Sequence, residues 1–216
     1  MQFSVFPRRR RVHALAQARC VYSASLGTDE SRINPMVAGY SWTVSRFLEV
    51  ALYFCDGFLL ETTYLIEGQS KAQAKRNALN LSNMVLQQLL AIKAPSVIVS
   101  ASVLDATKAF QAKRQAVCNY AISNSQFSNS VNSDAESYVF RQRRLGRLGI
   151  PVDQAINLAN SYVIFEVAAY AYFSELGYKV DAYVGDELPT LRKFVQGKFE
   201  QFPELEERAC ISLRVP

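Results

Sequence analysis

The sequence predicts an α/β protein built on a mainly parallel sheet with helices on both faces. Three observations predict it. Short apolar runs bounded by Gly, Pro and polar clusters alternate with longer segments whose apolar residues recur at helical spacing. Those short runs are apolar nearly throughout, as strands covered on both sides are. No internal repeat or long linker breaks the pattern, and 216 residues, half of them apolar, suffice for one core.

Residues 1–17, with the run Arg8 to Arg11, read as a basic tail, and 18–216 as one domain. Residues 18–24 are a buried strand. Residues 36–55 read as a helix that follows Pro35, and 58–63 as a second strand opened by Gly57. Ser70 and Gln73 form a capping box before a helix over 71–92. Its apolar stripe is Ala78, Leu81, Val85, Leu89 and Ile92, and its other face carries Lys71, Lys75 and Arg76. Pro95 ends it, and Val97–Ser100 is a third strand. Residues 105–122 and 133–147 read as basic helices separated by a Ser/Asn-rich loop over 123–133. Pro151 and Gly177 bracket the next helix, one at its first turn and one just past its end. A strand over 178–183, a helix over 188–197 and a strand over Ala209–Arg214 close the chain.

Charge is uneven. The net charge is +5 and the isoelectric point about 9.0. Residues 71–114 hold seven Lys or Arg against one acid, whereas seven acids face five bases from Asp181 onward. Concentrated positive charge fits a phosphate-backbone partner; a solvated helical surface explains it equally. The four cysteines lie far apart with no C-x-x-C, which suits reduced thiols of a cytoplasmic protein. One His and scattered Cys leave no metal site. Residues 12–18 are too short and polar for a signal-peptide core, and Glu166 interrupts the longest apolar helix, so no membrane span is expected.

Two features carry chemistry. At Val21-Tyr-Ser23-Ala-Ser25-Leu-Gly27-Thr28 an apolar run gives way to a Gly and a polar loop, as when a strand delivers a hydroxyl to the rim of a sheet. Ligands of open α/β sheets bind there, outside the carboxyl ends of the strands, and Tyr183 falls at another such end. In the apolar half of the 151–176 helix, Tyr162, Glu166 and Tyr170 share one face at i, i+4, i+8. A carboxylate there is either a general base or a buried acid satisfied by tyrosine hydroxyls. No G-x-S-x-G elbow, dinucleotide fingerprint or phosphate-binding P-loop occurs, and His13 sits beside the arginine run, so a Ser-His-Asp triad and nucleotide cofactors have no support.

Ser25-Leu26-Gly27, Tyr162 with Glu166, and Tyr183 before Gly185-Asp-Glu-Leu-Pro189 occur in an order that resembles the tRNA-dependent cyclodipeptide synthases, in the subgroup with Ser-Leu-Gly at the nucleophile. The resemblance runs from about Cys20 to Leu213. It implies a Rossmann-like domain similar to class I aminoacyl-tRNA synthetase catalytic domains, without their ATP motifs, which this chain also lacks. It implies two aminoacyl-tRNAs as partners, no cofactor, and an aminoacyl ester on Ser25. Tyr162 and Glu166 would hold the α-amino group, Glu166 would accept a proton, and Tyr183 would relay one. Val21, Ser23, Gly27, Thr28, Ala169 and Tyr170 would surround the first, small, side chain. Lys71, Lys75 and Arg76 would grip tRNA, with Lys108, Lys113, Arg114, Arg141, Arg143 and Arg144 in support. Two positions depart from the family pattern: Val184 stands where that subgroup has Pro, and Ser23 where Gly is common. A non-catalytic RNA-binding module and a serine acyltransferase that does not use tRNA are the rival readings.

Overall fold

The computed structural model describes residues 2–6, 15, 17–24, 32–54, 56–185 and 188–214. Six strands form one sheet: β1 (Gln2–Phe6), β2 (Arg19–Ala24), β3 (Val50–Phe54), β4 (Val97–Ser100), β5 (Tyr178–Val184) and β6 (Ala209–Arg214). Their order is β1-β6-β5-β2-β3-β4, parallel throughout except for β1 against β6. The chain runs outward from β2 through β3 to β4, then returns to β5 on the other side of β2. The reversal of strand order between β2 and β5 is the switch point at which open sheets of this class bind ligands. The fold is α/β and Rossmann-like, as predicted.

The described helices are α1 (Ile33–Arg46), α2 (Gly57–Ile66), α3 (Lys71–Leu90), α4 (Ala101–Ala106), α5 (Lys108–Ser123), α6 (Ser125–Arg144), α7 (Val152–Glu175) and α8 (Pro189–Val195). They cover both faces. Cys20, Tyr22 and Leu52 pack with Met36 and Tyr40 of α1 and with Ala78, Leu81 and Val85 of α3. Val21, Ala51 and Tyr53 pack on the opposite side with Val163, Phe165, Ala169 and Tyr170 of α7. A strand period of two divides β2 between these cores.

The capping box at Ser70 and Gln73 is present, with Gln73 N–H donating to Ser70 Oγ at 3.4 Å. Four expectations are corrected. The helix expected over 36–55 ends at Arg46, and Val50–Phe54 is a fully buried strand. A continuous apolar run has no period that separates strand from helix. The strand expected over 58–63 is helix α2, whose buried Leu59, Leu60, Thr63 and Ile66 keep helical spacing. The loop expected over 123–133 is the start of α6. Asn124 caps it by accepting from Phe127 N–H at 2.9 Å, and Phe127 is buried against Tyr120, Phe194 and Phe199. The helix expected over 105–122 breaks at Thr107, whose backbone is extended. Within the segment read as a tail, Gln2–Phe6 pairs with β6, while the run Arg8 to Arg11 lies outside the described residues.

Gly39 lets α1 approach the sheet beside the switch point. A Cβ there would lie 2.5 Å from Val184 Cγ2, 2.9 Å from Tyr22 Oη and 3.3 Å from Leu213 Cδ1. Gly39→Ala should therefore destabilise the fold by about 1–3 kcal/mol in urea unfolding. Unchanged stability would contradict this close approach.

Candidate active site

Register across the switch point aligns the site. Ser23 of β2 pairs with Tyr53 of β3 on one side and Tyr183 of β5 on the other, forming one row near the carboxyl ends of three strands. One step earlier, Val21 pairs with Ala51 and Asp181. Helix α7 lies over this face. Its Glu166 is 6% exposed, and the Tyr53 hydroxyl donates to Glu166 Oε1 at 3.4 Å. One turn on, the Tyr170 hydroxyl donates to Ser23 Oγ at 2.9 Å, and the Ser23 hydroxyl donates to Asp181 Oδ1 at 2.9 Å. Tyr162, one turn before Glu166, is half-buried against the same core. The structure thus brings together Val21, Ser23, Tyr162, Glu166, Ala169, Tyr170 and the strand carrying Tyr183. Ser25, Gly27 and Thr28 lie outside the described residues.

Below this row lie two buried ionisable side chains. Asp181 is 3% exposed and Arg208 is 2% exposed. Arg208 Nη1 donates to Tyr170 O at 3.2 Å, Ser174 Oγ at 2.9 Å and Tyr178 O at 3.0 Å, and its guanidinium lies 4.9 Å from the centre of the Tyr170 ring. Burial holds the Asp181 carboxyl above the ordinary carboxylate range; the Arg208 charge and hydrogen bonds from Ser23 and Tyr170 pull it down only in part. The Ser23 hydroxyl is the donor such a carboxylate needs.

This raised value has a consequence for stability. The folded state holds the Asp181 proton more tightly than the unfolded chain does. Its contribution is complete below the unfolded value of about 3.9 and is lost as pH rises through the raised folded value. Asp181→Asn should remove that loss, so its urea midpoint relative to wild type should climb across this window. Parallel curves for the two proteins would contradict the assignment.

The sequence reading missed four residues. Tyr53 was hidden in the segment read as helix. Asp181 had a visible signal, a carboxylate at the parity of Tyr183 in an apolar strand. Nothing local marked Arg208, whose partners are 30 to 38 residues away. Arg32 precedes α1, and its Nη2 donates to Val184 O at 3.0 Å and lies 3.5 Å from Tyr183 Oη.

The basic residues divide into two groups. Lys71, Lys75, Arg76, Lys108, Arg141, Arg143 and Arg144 are exposed. Lys113 instead pairs with Glu175 and with Glu204 (3.1 Å), and Arg114 pairs with Asp105 at 2.7 Å, which ties α5 to its neighbours. Backbone contact joins the end of α2 to the loop that follows α6. Gly149 N–H donates to Ile66 O at 3.0 Å, and a Cβ on Gly149 would lie 2.2 Å from Glu67 O. Between them lies an open cleft of about 300 Å³ lined by Glu67, Gly146, Arg147, Leu148 and Gly149. Among the described residues, no three His, Cys, Asp or Glu cluster to hold a metal, and no helix is long and apolar enough to cross a membrane. Among the described residues, Cys20 and Cys118 are free thiols, and burial pushes Cys20 well above the usual thiol range.

No protein-family model and no curated protein matches the sequence. Solved structures do match the fold. A cyclodipeptide synthase from Bacillus thermoamylovorans is 17% identical, with a TM-score of 0.79 over 99% of this chain and 96% of its own. A CDPS from Staphylococcus haemolyticus is 13% identical, with a TM-score of 0.77 over the whole of both chains. Cyclo(L-leucyl-L-phenylalanyl) synthase is 17% identical, with a TM-score of 0.77 over 100% of this chain and 99% of its own. The chain therefore has the fold of these cyclodipeptide synthase structures.

Proposed function

We propose that this protein is a tRNA-dependent cyclodipeptide synthase. The observation that carries the reading is the buried Glu166, set on α7 over the row of Ser23, Tyr53 and Tyr183 at the switch point, within a fold shared end to end with cyclodipeptide synthases. In sequence, Ser25 follows directly on Ala24, the last residue of β2.

In this reading the Ser25 oxygen attacks the carbonyl carbon of a first aminoacyl-tRNA. The ester bond to the terminal ribose breaks, the ribose oxygen takes up a proton, and an aminoacyl ester remains on Ser25. Tyr162 and Glu166 hold the α-amino group of that residue and fix its orientation. The amine of a second aminoacyl-tRNA then attacks the Ser25 ester. Glu166 accepts the amine's proton and Tyr183 returns one to the Ser25 oxygen, leaving a dipeptidyl-tRNA. Attack of the free amine on the remaining tRNA ester closes the ring and releases the second tRNA. Both substrate esters are already activated, so the reaction needs no nucleoside triphosphate. The first side chain is proposed to be small, because the Ser23–Tyr170 hydrogen bond closes strand against helix beside Val21 and Ala169.

The exposed cations of α3 take the tRNA phosphates, with Lys108 and Arg141, Arg143 and Arg144 in support. Lys113 and Arg114 spend their charge on internal acids and add less. Replacing Lys75 and Arg76 together by Ala should weaken tRNA binding and lower the slope of log affinity against log salt by about one to two. The same preparation, supplied with charged tRNAs, should form cyclic dipeptides more slowly than wild type. A wild-type protein that binds tRNA but yields no cyclic dipeptide with any charged pool would favour an RNA-binding module instead.

A further inference from the structure

Arg32 lies beside the hydroxyl of Tyr183. It stands immediately before α1, and its guanidinium reaches across to the end of β5, where Nη2 donates to Val184 O at 3.0 Å. The same nitrogen lies 3.5 Å from Tyr183 Oη, a long hydrogen bond of the kind that tightens when substrate is bound. Gly185 supplies an independent observation. Its φ is +120°, its N–H donates to Leu213 O at 3.1 Å, and a Cβ there would lie 3.2 Å from Tyr183 Cε1 and 3.4 Å from Arg32 Nη2. The backbone after β5 is thus bare where the tyrosine ring and the guanidinium converge.

Hydrogen-bond chemistry then fixes a direction. A guanidinium has five donors and no acceptor, so the Tyr183 oxygen can only accept from Arg32. The phenolic proton must turn to another partner. A tyrosine without such a neighbour is free to act as donor or acceptor. We infer that Arg32 is a positioning residue: it holds Tyr183 Oη as an acceptor and so presents the Tyr183 proton to the reacting groups. This inference rests on the cyclodipeptide synthase reading, in which Tyr183 returns a proton to the Ser25 oxygen.

A double-mutant cycle tests it. Rates of cyclic dipeptide formation at saturating aminoacyl-tRNA would be compared for wild type, Arg32→Gln, Tyr183→Phe and the double variant, with thermal melting as a control on folding. Arg32→Gln should lower kcat by about tenfold, with KM for the aminoacyl-tRNAs little changed. In the Tyr183→Phe background the same change should cost less than about twofold, because the group it acts through is gone. Arg32→Lys, which keeps the charge but not the fork, should fall between and serves if the Gln variant folds poorly. Added ethylguanidinium should restore part of the rate of Arg32→Ala, which a purely structural role would not allow. Full multiplication of the two single defects, or a wild-type rate for Arg32→Gln, would overturn the inference while leaving the function intact. A wild type that makes no cyclic dipeptide would remove the reading and the inference together.

Discussion

Glu166→Gln should lower cyclic dipeptide formation by about 10²–10⁴-fold, the range over which a positioned acid or base contributes to turnover. The substitution is nearly isosteric. The amide oxygen can still accept the Tyr53 hydrogen bond now made to Oε1, so the packing of α7 on β3 is retained. Two capacities are lost: a negative charge to hold the amino group of the first residue, and a base to accept the proton of the attacking second amine. Because the defect falls on use of the ester rather than on its formation, the aminoacyl group should accumulate on Ser25 while product declines. Unimpaired turnover would reduce Glu166 to a buried acid satisfied by a tyrosine hydroxyl. Tyr53→Phe should have a smaller effect on rate, since it removes one hydrogen bond and no reacting group.

Ser25→Ala should have the larger effect, a loss of about 10⁴-fold or more, because removing a nucleophile leaves only binding and orientation. Covalent adduct and product should disappear together. Binding of tRNA should persist, since the exposed cations of α3 stand on a different element. Wild-type product formation by Ser25→Ala would show that the aminoacyl group passes directly between the two tRNAs.

The parts of the fold visible in the sequence are those whose signals are local. Ser70 with Gln73 and the stripe from Ala78 to Leu89 specify α3 without help from the rest of the chain. Pro151 and Gly177 do the same for α7. What failed depended on tertiary packing. Val50–Phe54 is uniformly apolar, and only its place between β2 and β4 makes it a strand. Residues 125–133 are Ser- and Asn-rich, a composition that favours turns, yet Phe127 and Val131 enter the core and carry the helix with them. The same division holds at the site. Tyr162, Glu166 and Tyr170 share a face because a helix repeats every 3.6 residues, and that is legible. Tyr53, Asp181 and Arg208 join them only through strand register and a long-range guanidinium, which no short window reveals.

Ser23 and Val184, the two positions where the resemblance noted in the sequence breaks, have physical roles of their own. Ser23 is the middle of the Tyr170–Ser23–Asp181 chain of hydrogen bonds, and a glycine there would leave a buried carboxylate short of a donor. Val184 packs its side chain toward Gly39 of α1 and offers its carbonyl to Arg32, so the position after Tyr183 is tied to the helix across the switch point.

Intact mass spectrometry of the wild-type protein after brief incubation with charged tRNA decides whether Ser25 carries the aminoacyl group. A covalent route through Ser25 gives a species heavier by one aminoacyl group, localised to Ser25, stable without a second aminoacyl-tRNA and discharged as a cyclic dipeptide when one is added. An unmodified protein under every charging condition, with cyclic dipeptide nonetheless formed, would contradict it.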